Sequence, residues 1–302
     1  MPADELFVAT DHDGRSHHGG APVTWHLPAV VDGRTIPGDE TAGADAPLVL
    51  WRPPGLLDAL DSRIFRAEAT GEVLANDEAH VEARAARLVA ATPWDDARAA
   101  RFALECAAHA LGEEADAVLP DGSRLGDVVA EAGEVVASAG TQAEDHLGFL
   151  ARLASARRLR RQGELVGDLA LALLGEDHER ARDALEDPAW ATLASVAEAV
   201  LAAVESLRHL ALPRYVEVRE RASEAGPPDA TGGTASLFTV STPWGPLVPL
   251  AERPSPYEPA ARTAREAAAR ARQAVLERAG PAAATAERSF QAQRLSELLA
   301  GP

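Results

Sequence analysis

The chain has 302 residues, 46% of them hydrophobic, and a formal net charge of −18 at neutral pH. That length carries a sizeable core, in one large domain or two small ones, and the acidic balance argues against nucleic acid as a partner. No apolar run approaches the roughly 20 residues of a membrane span, and Met1-Pro2-Ala3-Asp4-Glu5-Leu6 has neither the basic nor the apolar region of a secretory signal.

The single cysteine, Cys106, rules out an internal disulfide framework and fits a reducing cytoplasm, the compartment the sequence predicts. All 29 basic residues are arginine. Without a lysine amine the chain cannot form the Schiff base of a pyridoxal-phosphate enzyme. The Gly-Lys-Ser/Thr of a phosphate-binding P-loop is missing for the same reason.

Residues 1–55 read as irregular with short strands. Phe7-Val8-Ala9, Val23-Thr24-Trp25-His26 and Leu48-Val49-Leu50-Trp51 are β-prone and are punctuated by Gly and Pro. Within them Asp11, His12, Asp13, His17 and His18 cluster as candidate metal ligands in a flexible-looking stretch.

From Pro54 to about Arg221 the apolar spacing becomes helical. Asn76-Asp77-Glu78 predicts a helix start, running to about Ala91. Thr92-Pro93-Trp94-Asp95-Asp96 predicts a turn and N-cap for a helix to Leu111. Further helices are expected near 125–138, 142–163 and 164–174. Arg157, Arg158, Arg160 and Arg161 form the densest basic run, suited to a solvated helix face or to a carboxylate. Asp187-Pro188 then supplies an N-cap and first position for a helix reaching His209.

On that last helix Trp190, Leu193, Val196, Val200, Val204, Leu207 and Ala211 make one apolar stripe, with His209 off its centre. Ala202 and Ser206 are small enough to let a flat macrocycle approach. Glu205 is placed to accept a hydrogen bond from the imidazole nitrogen not bound to a metal, which raises ligand basicity. Pro213 removes the N–H that would bond the His209 carbonyl, so the helix ends there. The loop Ala230-Thr231-Gly232-Gly233-Thr234 follows, and its glycines give it the freedom to close over a ligand. Beyond it, Leu237-Phe238-Thr239-Val240-Ser241 and Leu247-Val248-Pro249-Leu250 flank a turn and read as a hairpin that completes a small sheet with the N-terminal strands. Pro256–Ala279 and Thr285–Leu299 are the closing helices.

Ser206-Leu207-Arg208-His209-Leu210 followed by Thr231-Gly232-Gly233-Thr234 resembles the proximal-histidine helix and Gly-Thr-Gly-Gly-Thr loop of the histidine-ligated haem-dependent aromatic oxygenases. This superfamily includes tryptophan and indoleamine dioxygenases and bacterial L-tyrosine hydroxylases. The resemblance covers residues 180–236. Ala230 stands where the dioxygenases have Gly, and the strand-like 237–250 segment replaces an expected helix, so the hydroxylase branch is the better match. The resemblance implies haem b on the iron ligand His209, with Glu205 and Ser206 beside it and Thr231, Gly232, Gly233 and Thr234 over the substrate. It also implies a distal histidine to move a proton on bound peroxide, for which His80 and His109 are the candidates.

The expected fold is mainly α: a helical haem-binding bundle with short β-strands from the N-terminal and 237–250 segments. It forms a single domain over 1–302, with a β-rich segment to 55, a helical core over 56–225 and a loop, hairpin and helices over 226–302. The expected reaction is hydrogen-peroxide-dependent hydroxylation of L-tyrosine to the catechol in natural-product (antibiotic) biosynthesis, with an arginine such as one of Arg152–Arg161 on the substrate carboxylate. Homodimer formation is compatible with this reading. The alternatives are indole-ring dioxygenation with O2 and a non-catalytic helical binding or immunity-type protein.

Overall fold

The computed structural model describes residues 5–17, 23–31, 34–41, 47–117, 124–139, 199–200, 203 and 260–300. Eleven strands are described: β1 (Leu6–Thr10), β2 (Arg15–Ser16), β3 (Val23–Thr24), β4 (Ala29–Val31), β5 (Arg34–Ile36), β6 (Gly38–Thr41), β7 (Leu48–Trp51), β8 (Arg63–Ala69), β9 (Val73–Asn76), β10 (His80–Ala83) and β11 (Ala85–Ala91). Seven of them form one antiparallel sheet in the order β6-β11-β8-β1-β7-β10-β9. Helices α1 (Pro53–Leu56), α2 (Asp96–Leu111), α3 (Leu125–Ala139) and α4 (Ala260–Ala300) complete the described fold.

The helical bundle expected from the sequence is therefore corrected to a seven-stranded sheet carrying a helical layer. The helix expected from Asn76 to Ala91 is the end of β9, then β10 and β11. Alanine favours a helix by only a few tenths of a kcal/mol over most residues, and burial decides otherwise. Val81 and Ala83, then Ala86 and Leu88, are buried at a period of two. Asp77 does receive the backbone N–H groups of Ala79 and His80, at 2.7 and 2.8 Å, as an N-cap would. Here that geometry turns β9 back into β10.

Alternation along the strands gives the sheet two apolar faces. Phe7, Ala9 and Ile64 join the helical layer in the main core. Val8, Leu48, Leu50, Phe65, Val81 and Leu88 face the other way and pack with Trp25. Trp25 donates its indole N–H to Ser16 Oγ at 3.2 Å, so the polar edge of this buried ring is satisfied.

Helices α2 and α3 match the sequence expectation closely. Asp95 caps α2 by accepting the N–H of Arg98 at 2.8 Å. Ala99, Ala100, Ala103, Ala107 and Ala110 of α2 are fully buried with Ala264, Ala267, Ala268, Ala271 and Ala274 of α4, so small side chains fill the helical layer. Ala199, Val200 and Ala203 are helical and buried in the same core, and Val200 belongs to the stripe predicted for the helix toward His209.

α4 is a helical hairpin rather than one rod. Gln291 Nε2 donates to the Ala268 carbonyl at 3.1 Å, which requires the arms 260–279 and 281–300 to run back along each other. Gly280 makes the reversal at φ 80° and ψ −177°, and Pro281 opens the second arm. Arg278, at the end of the first arm, donates to the last carbonyls of α2, on Ala110 and Leu111, and to Glu114. A Cβ on Gly112 would lie 2.7 Å from that guanidinium, at a φ of +52° that itself favours glycine.

The Gly280 conformation is closed to L-residues although nothing lies within 4 Å of a Cβ built there. Gly280→Ala is therefore expected to cost about 1–3 kcal/mol through the backbone alone, read as a lowered urea midpoint with an unchanged m-value.

Candidate functional site

Two groups of polar side chains stand out, one in the helical layer and one at the sheet edge. The first grows from Glu287, on the second arm of α4. Its side chain is 1% exposed, and a carboxylate buried that far needs its oxygens bonded. His109, near the end of α2, donates Nδ1–H to Oε2 at 2.5 Å, and Gln291 donates to Oε1 at 2.8 Å. Gln291 in turn accepts from Arg272 at 2.8 Å. Arg272 and Arg288 then hold the two oxygens of Asp58, at 2.8 and 2.6 Å, just beyond α1. One continuous chain of hydrogen bonds thus ties α1, α2 and both arms of α4.

His109 itself is half-exposed. One face of its ring stacks on Phe290, with centroids 3.7 Å apart and planes at 11°. Nδ1 is committed to Glu287, which leaves Nε2 as the free edge among the described residues. One turn back, Glu105 accepts from Arg294 and Arg101. Between them Cys106 is fully buried, and burial, helped by the nearby Glu287 carboxylate, pushes its thiol well above the usual range. It is a core residue with no thiolate to offer at neutral pH.

The second group is the β9–β10 hairpin. His80 lies on β10, opposite Trp51 of β7, with ring centroids 5.7 Å apart. Its Nδ1 lies 3.1 Å from Asp77 Oδ1 and its Nε2 3.5 Å from Glu82 Oε1. The backbone N–H groups of His80 and Ala79 hold the Asp77 carboxyl below the usual carboxylate range. Arg52 closes the hairpin from the side, donating to Asn76 Oδ1 at 2.7 Å and to the Asp77 carbonyl at 2.9 Å. β9 is thereby held firmly at the edge of the sheet.

His80 and His109, the two distal candidates, therefore occupy different layers. His80 faces carboxylates with both ring nitrogens, and His109 is stacked and bonded within the helical layer. The two were alternatives for one role, and the axial candidate His209, against which either would be placed, lies outside the described residues. A groove of about 730 Å³ between α2 and α3 is lined by Asp95, Arg98, Arg101, Leu104, Glu105, Val129 and Val136 among others, and neither histidine lines it. His209, Glu205, Ser206, Thr231, Gly232, Gly233 and Thr234 lie outside the described residues, as do Arg152–Arg161 and His18.

Among the described residues no group of three or more His, Cys, Asp or Glu is placed to hold a metal ion. Asp11 organises the β1–β2 turn, accepting from the N–H groups of Asp13 and Arg15 and from His17. No described helix is long and apolar enough to cross a membrane. No protein-family model, curated protein or solved structure matches the chain.

Sequence reasoning singled out His109 but missed its partner. Glu287 and Gln291 sit at i and i+4 on an otherwise Ala-rich helix, a spacing that places two polar residues on one face. Nothing in the sequence says that this face is buried.

His109→Ala strips one donor from the buried Glu287 carboxylate, and a loss of about 1–3 kcal/mol is expected. Denaturation followed by Ellman labelling of Cys106 measures it, since that thiol reacts only when the helical layer opens. An unchanged labelling midpoint would show that the pair does not hold the layer together.

Proposed function

We propose that the protein is a binding protein that takes up an extended segment of a partner along β9. The difference between the two edges of the main sheet carries this reading. β6, one edge, is Gly38-Asp39-Glu40-Thr41; Asp39 pairs with Arg87 and Glu40 with His26. Charge on an edge strand blocks further pairing. His26 also crosses close by, since a Cβ on Gly38 would sit 1.5 Å from its carbonyl oxygen.

β9, the other edge, is Val73-Leu74-Ala75-Asn76 and carries no charge. Val73 is 49% exposed and Leu74 41%, two of the four large apolar side chains exposed among the described residues. Both side chains stand at the open edge, where an added strand would shelter them. Its backbone would supply main-chain hydrogen bonds, and Arg52 and Asp77 already fix the template.

Selection from a library of random short peptides tests this. Peptides that bind the chain but not its Val73→Lys/Leu74→Lys variant are expected to show alternating, strand-like patterns. Recovery only of sequences with helical periodicity, or of none that depends on the two positions, would overturn the reading.

Haem-dependent oxygenation of an aromatic amino acid is the second reading, and it rests on the resemblance carried by Ser206–Leu210 and Thr231–Thr234. Val200, on the apolar stripe of the expected helix, is buried in the main core together with Ala199 and Ala203. In this reading His209 is the axial ligand, haem b would supply the oxidising chemistry, and His80 or His109 is the distal candidate. Haemin added to the purified chain should then give a Soret band that shifts or collapses in His209→Ala. A chain that takes up no haemin ends this reading.

A further inference from the structure

Resting on the strand-addition reading, we infer that the segment received by β9 is apolar at its centre and basic at its ends. β9 is bracketed by acid. Glu72 precedes it and Asp77-Glu78 follow it, all three exposed. Glu72 and Glu78 make no ion pair among the described residues, and Glu82 lies on the neighbouring strand beside His80. The basic groups nearby are Arg52, which donates to Asn76 and the Asp77 carbonyl, and Arg84, whose backbone N–H bonds the Glu72 carbonyl; against them stand Glu72, Asp77, Glu78 and Glu82. The chain as a whole contributes a further negative field from its net charge of −18.

The same charges argue against a second copy as the occupant. An antiparallel β9–β9 pair about the centre of Val73–Asn76 sets Val73 against Asn76 and Leu74 against Ala75. It therefore sets Glu72 against Asp77 at both ends, and like charges directly opposed destabilise a ladder. The edge is also bent. The register with β10 shifts between Glu82 and Ala83, so that Ala83 faces Val73, Glu82 faces Ala75, and Leu74 has no partner. Two rigid copies cannot follow that bulge together, whereas a flexible segment that orders on binding can. Arginine or lysine at each end of such a segment meets Glu72 on one side and Asp77 and Glu78 on the other. Valine or threonine at its centre lies across Val73 and Leu74.

Three fluorescent peptides test the inference. Each has a core of alternating valine and threonine, with paired arginines, paired glutamines or paired glutamates at both ends. With the purified full chain at low salt, the arginine peptide is expected to bind at least about tenfold more tightly than the glutamate peptide. The gap should shrink at about 1 M salt, where screening reaches only about 3 Å. Glu72→Gln/Glu78→Gln should reduce the gap, and these exposed positions leave the fold intact. Equal binding of all three peptides, abolished by Val73→Lys/Leu74→Lys, would overturn the charge inference and leave strand addition standing. If no peptide binds, amide hydrogen exchange over 73–76 shows why. Protection in the free chain at every concentration means that the chain's own residues fill the edge. Protection that grows with concentration means that a second copy does. Fast exchange means that the edge takes no strand. Each of these three results overturns both the charge inference and the reading beneath it.

Discussion

The carboxylate of Glu287 is the constraint around which the helical layer is arranged. An ionised side chain taken out of water costs several kcal/mol unless its oxygens are bonded, and here the donors come from two places at once. His109 lies across the helix interface on α2, and Gln291 lies one turn along the same arm. Neither can move without stranding the carboxylate. Gln291 also binds the Ala268 carbonyl on the opposite arm and accepts from Arg272, so the hairpin's own register is set by the same amide. The buried alanines around it have little shape with which to choose among neighbouring registers. The polar chain supplies that choice, in the way that single buried polar residues fix register in coiled coils.

Asp58 extends the constraint to the sheet. It sits just after α1, next to Leu56 and Leu57, which are fully buried in the main core, and it holds both Arg272 and Arg288. Arg288 also donates to the Pro54 carbonyl. The sheet is thus anchored on one face by apolar packing and at one point by charge. β9 lies at the far end of the strand order, and its hold on the structure is local: the Asp77 turn, the Arg52 side chain and the ladder to β10. Clamping the centre and leaving one edge strand to its own hairpin are compatible demands, because antiparallel ladders transmit position without needing both edges paired.

Much of this was legible in the sequence. Strand β7 coincides with the β-prone Leu48–Trp51, and α2 begins where Asp95 was expected to cap it. The Gly280-Pro281 break falls between the two closing helices that the spacing predicted. What misled was alanine. In Ala85–Ala91 the residues that decide the pattern are small, so helix preference and strand alternation differ by little until Leu88 is seen to lie against the second core. Asp77 misled for a related reason, since an aspartate that accepts two N–H groups looks alike at a helix start and at a hairpin turn. The buried Glu287 was illegible because its partner is 178 positions away. The resemblance to haem oxygenases rests on residues beyond those described, and the bundle it implied is replaced by the sheet.

The pairing of Asp58 with Arg272 and Arg288 spans 214 and 230 positions of sequence. A nascent chain that has released its strands and α2 from the ribosome still lacks the hairpin that packs on α1 and on the buried side of α2. That packing waits until residues 260–300 emerge, and contacts so distant in sequence form slowly. Synthesis at about 5–20 residues per second makes the wait roughly ten seconds or more. During that interval the half-built sheet is a natural client for a chaperone.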